Sequence, residues 1–297
     1  MLEQITPLIL TYNEAPNIGR TLERLRWARD IVVVDSFSDD DTLEIVSRFP
    51  QARVYQRKFD SFAGQCNFGL NETGITTEWV LNLDADYELT ASVVSEIANL
   101  NPTSDVIGFR AAFTYCIYGR RLRSGVYPPV TVLFRKAGAH YREDGHAHRV
   151  VLEGRLENLH SRILHDDRKP LGRWFEAQSR YTKLEANKLL SSAVKDLSWT
   201  DRIRRWRVVA PAATLVFCLI FRGGVLDGWA GFYYAFQRAL AELMLSLYLI
   251  DHDLGISDFE FRHPEFEEPA PRDVEHSESI RTAQFPIRNP KSEIRNS

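Results

Sequence analysis

Asp84 and Asp86 stand one residue apart and close an apolar run, Trp79-Val80-Leu81-Asn82-Leu83, that reads as a buried strand. Two carboxylates at a strand tip are hard oxygen ligands. Magnesium or manganese held this way commonly shares its shell with a substrate's phosphates. Side chains alternate along a strand, so a strand continuing through residue 86 carries both acids on one face. The plainer alternative makes one acid a cap for the helix starting near Thr90 and the other a solvated loop acid. Asp35 closes an earlier apolar run, Ile31-Val32-Val33-Val34, and a carboxylate there can accept a hydrogen bond from a pyrimidine ring N–H. Tyr12 can stack on a base, while Asn13 and Glu14 either bond to base or ribose or simply form a loop-to-helix transition. Asp39, Asp40 and Asp41 suit the start of a helix, where acids cap free amides and complement the dipole. Together these residues point to a nucleotide-activated substrate.

The elements that must position them are legible. Ile5–Leu10 reads as a first strand, with Pro7 fitting best near its start or at an edge. A helix begins near Asn17 with Ile18, Leu22 and Leu25 on one face. Helices are also expected over Thr42–Phe49, Phe62–Leu70 and after Thr90, a suitable N-cap. A short strand is expected at Arg53–Tyr55. Alternating strands and helices over the first hundred residues imply an α/β fold whose mostly parallel sheet has helices on both faces. Ligands of such sheets sit beyond the carboxyl ends of the strands. Asn13, Asp35 and Asp84 all fall just past such an end.

The 297 residues suffice for one large domain with an appendage. A formal net charge of -3 argues against a nucleic-acid partner. Residues 258–297 carry nine acidic and six basic side chains, which accounts for the whole imbalance; that segment is expected to be a disordered tail. Cys66, Cys116 and Cys218 match no zinc or redox spacing and are expected as free thiols. The N-terminus has neither a basic n-region nor a long apolar h-region, so no signal peptide is expected.

Four segments carry a family resemblance: Leu-Thr-Tyr-Asn-Glu-Ala-Pro-Asn-Ile from Leu10, Val-Val-Asp-Ser-Phe-Ser-Asp-Asp-Asp-Thr from Val33, Gly-Gln-Cys-Asn-Phe-Gly-Leu from Gly64, and Leu-Asn-Leu-Asp-Ala-Asp from Leu81. In that order, over residues 4–100, they resemble family-two glycosyltransferases of the GT-A fold. The later Glu143-Asp144-Gly145-His146 and His165–Pro170 segments look similar to a bacterial branch that contains lipopolysaccharide-core glucosyltransferases. The resemblance implies a GT-A catalytic domain over residues 1–200 and a metal-dependent, inverting transfer from a UDP-sugar. Tyr12, Glu14, Asp35 and the loop around Asp39 would then contact base and ribose. Asp84 would touch ribose or metal, Asp86 would ligate Mg2+ or Mn2+, and Gln65 and Asn67 would lie near the diphosphate or shape the pocket. Arg57 and Lys58 could add positive charge there.

An inverting transferase also needs a base for the acceptor hydroxyl. Glu143 and Asp144 are the leading pair, Asp144 preferred, and Asp166 and Asp167 compete. His165 could complete the metal's shell, with Arg168 or Lys169 on the diphosphate; a salt-bridged turn before Pro170 is the alternative. His146 and His148 lack a supporting third ligand for zinc.

Residues 201–257 are expected to form a membrane-associated or packing helical region. Val208–Phe221 is too short for a span of ~20 residues. Trp229–Ile250 is long enough but carries Arg238 and Glu242, which could pair. Four arginines at 202–207 suit anionic headgroups. An in-plane hairpin on the cytoplasmic face of the inner membrane, serving a lipid-linked glycan acceptor, is therefore expected, with packing or a homodimer as alternatives. Nucleotidyl transfer and a non-catalytic membrane-bound scaffold are the rival functions. The first wants a glycine- and basic-rich phosphate loop, and Thr11–Arg20 offers only Gly19 and Arg20.

Overall fold

The computed structural model describes residues 1–144 and 147–256, without the side chains of Asp144, Ala147, His148 and Asp196. Gly145, His146 and the expected tail at 258–297 lie outside the described residues. In chain order the elements are β1 (Ile5–Thr11), α1 (Ile18–Glu23), β2 (Ile31–Asp35), α2 (Thr42–Val46), β3 (Ala52–Gln56), α3 (Phe62–Glu72), β4 (Trp79–Asp84), β5 (Tyr87–Glu88) and α4 (Ala91–Asn99). There follow β6 (Val106–Ile117), β7 (Arg120–Arg121), β8 (Val130–Arg135), β9 (His140–Asp144), β10 (Ala147–Val151) and β11 (Arg155–His165). The last part is helical: α5 (Leu171–Ser191), α6 (Trp199–Arg204), α7 (Val209–Val216) running into a π-turn at Phe217–Phe221, and α8 (Trp229–Leu254).

The main sheet runs β3-β2-β1-β4-β8-β6-β11-β5. The β3-β2-β1-β4 half is parallel, β8 turns antiparallel, and β11 is again parallel to β6. This is the mixed, mostly parallel α/β sheet the sequence implies. Period-two alternation gives it two buried faces. Ile5, Ile9, Val33, Trp79 and Leu81 pack against α1 and α4, whereas Leu8, Val32, Val34 and Val80 pack against α3. Gly69 lets α3 approach β1, because a Cβ there would sit 2.5 Å from a Leu8 methyl. Pro7 is tolerated inside the sheet because pairing to β2 begins only at Leu8.

One expectation is corrected. The helix after Thr42 ends at Val46, not Phe49, since Pro50 disfavours helical geometry in the residue before it. Further along, β9 pairs antiparallel with β10, and the long strand β11 joins the main sheet.

The helical part buries α5 against α8 through Ala186, Leu189, Leu245 and Leu249. Arg204 lies at its centre, 2.7 Å from Glu242, 3.1 Å from Asp201 and 3.3 Å from Glu185. Arg207 pairs with Asp253 at 2.7 Å. Two of the four arginines expected at headgroups thus neutralise carboxylates of this helical packing, and Glu242 takes Arg204 rather than Arg238. Among the described residues no helix is long and apolar enough to cross a membrane.

Candidate active site

The carboxyl ends of β1, β2 and β4 lie together, since Thr11 is in register with Asp35 and Leu10 with Asp84. Asp35 is fully buried. Its oxygens accept from Thr11 Oγ1 at 3.0 Å, Ser38 N at 2.9 Å, Ser38 Oγ at 2.5 Å and Gln56 Nε2 at 3.4 Å. In this structure the carboxylate holds the loop after β2 against β1. Asn13 locks the same loop from the other side: it adopts a left-handed φ of 54°, accepts Asp39 N at 2.9 Å and donates its own N–H to Ser38 Oγ at 2.9 Å. Asparagine tolerates that backbone better than most residues. Asp40 rather than Asp41 caps α2, accepting Thr42 N at 3.0 Å. Tyr12, 47 % exposed, stands clear at the rim.

Beyond β4 the chain turns through Ala85, anchored by Thr21 Oγ1 on its carbonyl at 2.7 Å, and presents Asp86. The carboxylate faces His165, with Oδ2 3.2 Å from Nε2. β11 delivers that histidine in register with Tyr87 on β5 and Tyr115 on β6. Rings of Tyr87, Tyr115 and Tyr127 pack around the imidazole at 5.2, 4.7 and 4.7 Å. Such walls make an unpaired charge costly, so each partner depends on the other. Burial works against ionising Asp86, but His165 and Lys169 outweigh it and hold the carboxyl at about 2. Burial likewise opposes a charged His165, and Asp86 overrides it, raising the imidazole above its usual value.

Among the described residues no three His, Cys, Asp or Glu side chains form a metal cage. Asp86 Oδ1 and His165 Nδ1 are nevertheless buried without a hydrogen-bond partner. A free carboxylate oxygen is the kind of hard ligand that a divalent cation shared with a diphosphate takes. Asp84 is half-buried at the end of β4.

The segment after His165 is stitched onto the loop after β1, in part by Asn17 and Arg20, which the sequence did not single out for the site. Asn17, fully buried, donates to Glu14 at 2.8 Å and Asp167 at 2.9 Å and accepts from Arg168 N at 2.9 Å. Arg20 binds Asp166 at 3.1 Å and also pairs with Glu88. Lys169 reaches Glu14 at 2.6 Å. Asn17 was legible only as a helix start; its amide caps nothing locally because it is spent across the site. Asp166 is 2 % exposed and is held by Arg20, Arg168 and Gly119 N, which leaves it no reach to an acceptor hydroxyl. The salt-bridged turn is what forms here: Arg168 and Lys169 are engaged by Asp166 and Glu14.

Three other expected residues shape the site rather than line it. Asn67 grips β9, its amide bonding Tyr141 O at 3.0 Å and Tyr141 N at 2.8 Å. Gln65 ties Ser36 Oγ at 3.1 Å to the Arg57 carbonyl at 3.0 Å. Glu143 accepts Ala63 N at 2.8 Å and so caps the first turn of α3. Arg57 is paired with Asp60 at 2.6 Å. The side chain of Asp144, the preferred base, lies outside the described residues, as does His146. Cys66, Cys116 and Cys218 are buried free thiols.

Burial of the Glu14 carboxyl, with Asp86 nearby, pushes it from 4.5 to about 7 against the pull of Lys169. The folded protein therefore keeps a proton that the unfolded chain has lost between these values. This contribution to stability is complete below pH 4.5 and is lost as pH rises to about 7. Glu14→Gln should remove that slope, so the difference in unfolding free energy between wild type and variant should change by about 3 kcal/mol across the window. Urea unfolding of both proteins at the two ends of the window measures it; parallel curves would refute it.

Residues 8–151 match the profile of Glycosyl transferase family 2. These residues form a family-two glycosyltransferase domain. The expected GT-A architecture agrees with this match and with the sheet. The lipopolysaccharide core biosynthesis glycosyltransferase LpsC of Rhizobium meliloti is 26% identical over 262 residues, covering 79% of this chain and 90% of that protein. A glycosyltransferase of Rickettsia felis is 36% identical over 97 residues, 32% of this chain, and the match spans only 33% of that relative's length. Among solved structures, glucosyl-3-phosphoglycerate synthase from Mycobacterium tuberculosis, in complex with Mn2+, UDP and phosphoglyceric acid, aligns at 15% identity over 63% of this chain and 77% of its own, with a TM-score of 0.42. Staphylococcus aureus TarS with UDP-GlcNAc aligns at 14% identity over 84% of this chain and 92% of its own, TM-score 0.38.

Proposed function

We propose that this glycosyltransferase moves a hexose from a UDP-sugar, with inversion, to a hydroxyl of a lipid-linked glycan of the lipopolysaccharide-core kind, as a peripheral protein on the cytoplasmic face of the inner membrane. The observation that carries the metal-dependent part is the buried Asp86–His165 pair with a partnerless carboxylate oxygen at the carboxyl rim of parallel strands. The likeness to LpsC along most of both chains supports the acceptor class. Asp86 and His165, with Asp84 beside them, would hold Mg2+ or Mn2+, which when bound supplies Lewis-acid stabilisation of a departing diphosphate. Tyr12 offers its exposed ring to the base. Asn13, Asp35 and Asp39 keep the loop in shape behind it. Asn17 and the Glu14–Lys169 pair hold the segment after β11 against that loop, which keeps His165 facing Asp86. Asp144 takes the proton from the acceptor hydroxyl on the face opposite the leaving group.

Thermal unfolding with a panel of nucleotide sugars, each with and without Mn2+, tests the donor. A ligand at a hundredfold excess over its Kd stabilises by about 2.7 kcal/mol. Protection is expected from UDP-hexoses and only with the cation present. Protection by GDP-sugars alone would overturn the uracil assignment, and equal protection without cation would overturn the metal assignment.

A further inference from the structure

We infer that the outer face of the α7–α8 hairpin docks on an anionic lipid bilayer, with a basic rim contributed by the β6–β7 turn and the residues just after it. The π-turn, the connection after it and the start of α8 expose Phe217, Ile220, Phe221, Leu226 and Trp229, the last at 84 %. Along the 26 residues of α8 the stripe continues through Phe236, Leu243, Leu247 and Leu254, spaced one or two helical turns apart on one face. At 1.5 Å per residue that face is about 39 Å long, well beyond the scattered apolar exposure of ordinary soluble surfaces.

The charge beside it selects the occupant. Arg120, Arg121 and Arg123 are all exposed, and none forms an ion pair among the described residues. They are fastened to the apolar tip: Leu122 is buried with Cys218 and Ala230, Arg123 N and Ser124 N donate to Asp227 at 2.8 and 3.1 Å, and Val126 N donates to the Tyr234 hydroxyl at 3.1 Å. Arg222, on the tip itself, is exposed, and its guanidinium donates to the Gly125 carbonyl at 2.6 Å. Partnerless guanidiniums at the end of a greasy face are answered by phosphate headgroups over acyl chains. The apolar seam of a second copy would cover the stripe and leave the guanidiniums unanswered.

The same turn touches the site. Gly119 N donates to Asp166 at 3.0 Å, and the Tyr115 ring lies 4.7 Å from both His165 and Tyr234. Docking therefore sets the rim of the site next to the headgroup plane. Delivery of a lipid-linked acceptor there rests on the function proposed above; the docking does not.

Flotation of the full chain with vesicles separates the two. Wild type should float with equimolar phosphatidylcholine and phosphatidylglycerol and weakly with phosphatidylcholine alone. Each basic side chain at an anionic surface multiplies partitioning roughly fivefold, so the combined Arg120→Gln, Arg121→Gln and Arg123→Gln variant should bind about 100-fold more weakly. Phe221→Ser with Leu226→Ser, both on exposed positions, should reduce binding to both vesicle types. Wild type that fails to float, or floats equally after either set of substitutions, overturns the inference. So does sedimentation as a dimer that Phe221→Ser with Leu226→Ser dissociates, since the occupant is then a second copy. Donor hydrolysis by the arginine variant should equal that of wild type; its loss would overturn the placement of these arginines outside the catalytic centre.

Discussion

Asp86→Asn should lower the rate of sugar transfer by about 10³-fold while the protein still folds. The amide has the size of the carboxylate and can still bond His165 Nε2, 3.2 Å away, so the turn after β4 keeps its shape. What it lacks is the charge that binds a cation. Loss of Lewis-acid stabilisation on a departing diphosphate amounts to ~4 kcal/mol of barrier. Stability should fall too, in a pH-dependent manner. The Asp86 carboxyl is held at about 2 against an ordinary 3.8, so its contribution is present above the ordinary value and is lost as pH falls through the folded one. At neutral pH the variant should be less stable by about 2 kcal/mol, and the two proteins should converge in acid. Mn2+ binding by calorimetry supplies a readout independent of turnover and should vanish in the variant. A variant that turns over a competent donor–acceptor pair at the wild-type rate sinks the assignment of Asp86 to the metal.

What could be read in the chain divides along the range of the interactions. Asp35, Asp84 and Asp86 were placed correctly at one rim because period-two burial defines strands, and the end of a buried strand is a local property of Ile31–Val34 and Trp79–Leu83. Thr90 was legible as a cap for the same reason, and it accepts Val93 N at 3.3 Å. Partners separated by more than a hundred residues were not. Asn17 and Asp167 are 150 residues apart, and Lys169 and Glu14 are 155 apart; no periodicity in either segment encodes that meeting. Burial of charge was equally hidden. The arginines at 202–207 look alike in sequence, but Arg204 sits among three carboxylates and Arg207 pairs with Asp253, whereas Arg120, Arg121 and Arg123, eighty residues earlier, are exposed and form no ion pair among the described residues. His165 is the intermediate case. Its chemistry marked it as a ligand, yet only the insertion of β11 between β6 and β5 explains why it faces Asp86.

Asp144→Asn should lower kcat by about 10²–10⁴-fold, the usual contribution of a general base, and Glu143→Gln should not. The two acids are neighbours at the end of β9, and sequence alone ranks them weakly. Glu143 has a structural partner on α3. Glu143 Oε1 accepts Ala63 N at 2.8 Å, where a negative charge also favours the helix N-terminus. A carboxylate engaged in capping is a poor acceptor for a substrate proton. Glutamine retains the accepting oxygen, so Glu143→Gln should cost about 0.5 kcal/mol of stability through lost charge–dipole attraction and leave kcat within about threefold. Asp166 is excluded by Arg20 and Arg168, and Asp167 Oδ1 accepts from Asn17 at 2.9 Å and from Lys169 N at 3.0 Å. Substituting Asp167 should therefore act through KM and stability, by loosening the segment that carries His165. The pH–rate profile is the decisive readout, because removing the base abolishes the acidic limb of kcat, whereas removing a structural acid shifts neither limb. Wild-type kcat in Asp144→Asn, together with a lost acidic limb in Asp167→Asn or Glu143→Gln, would transfer the role to that residue.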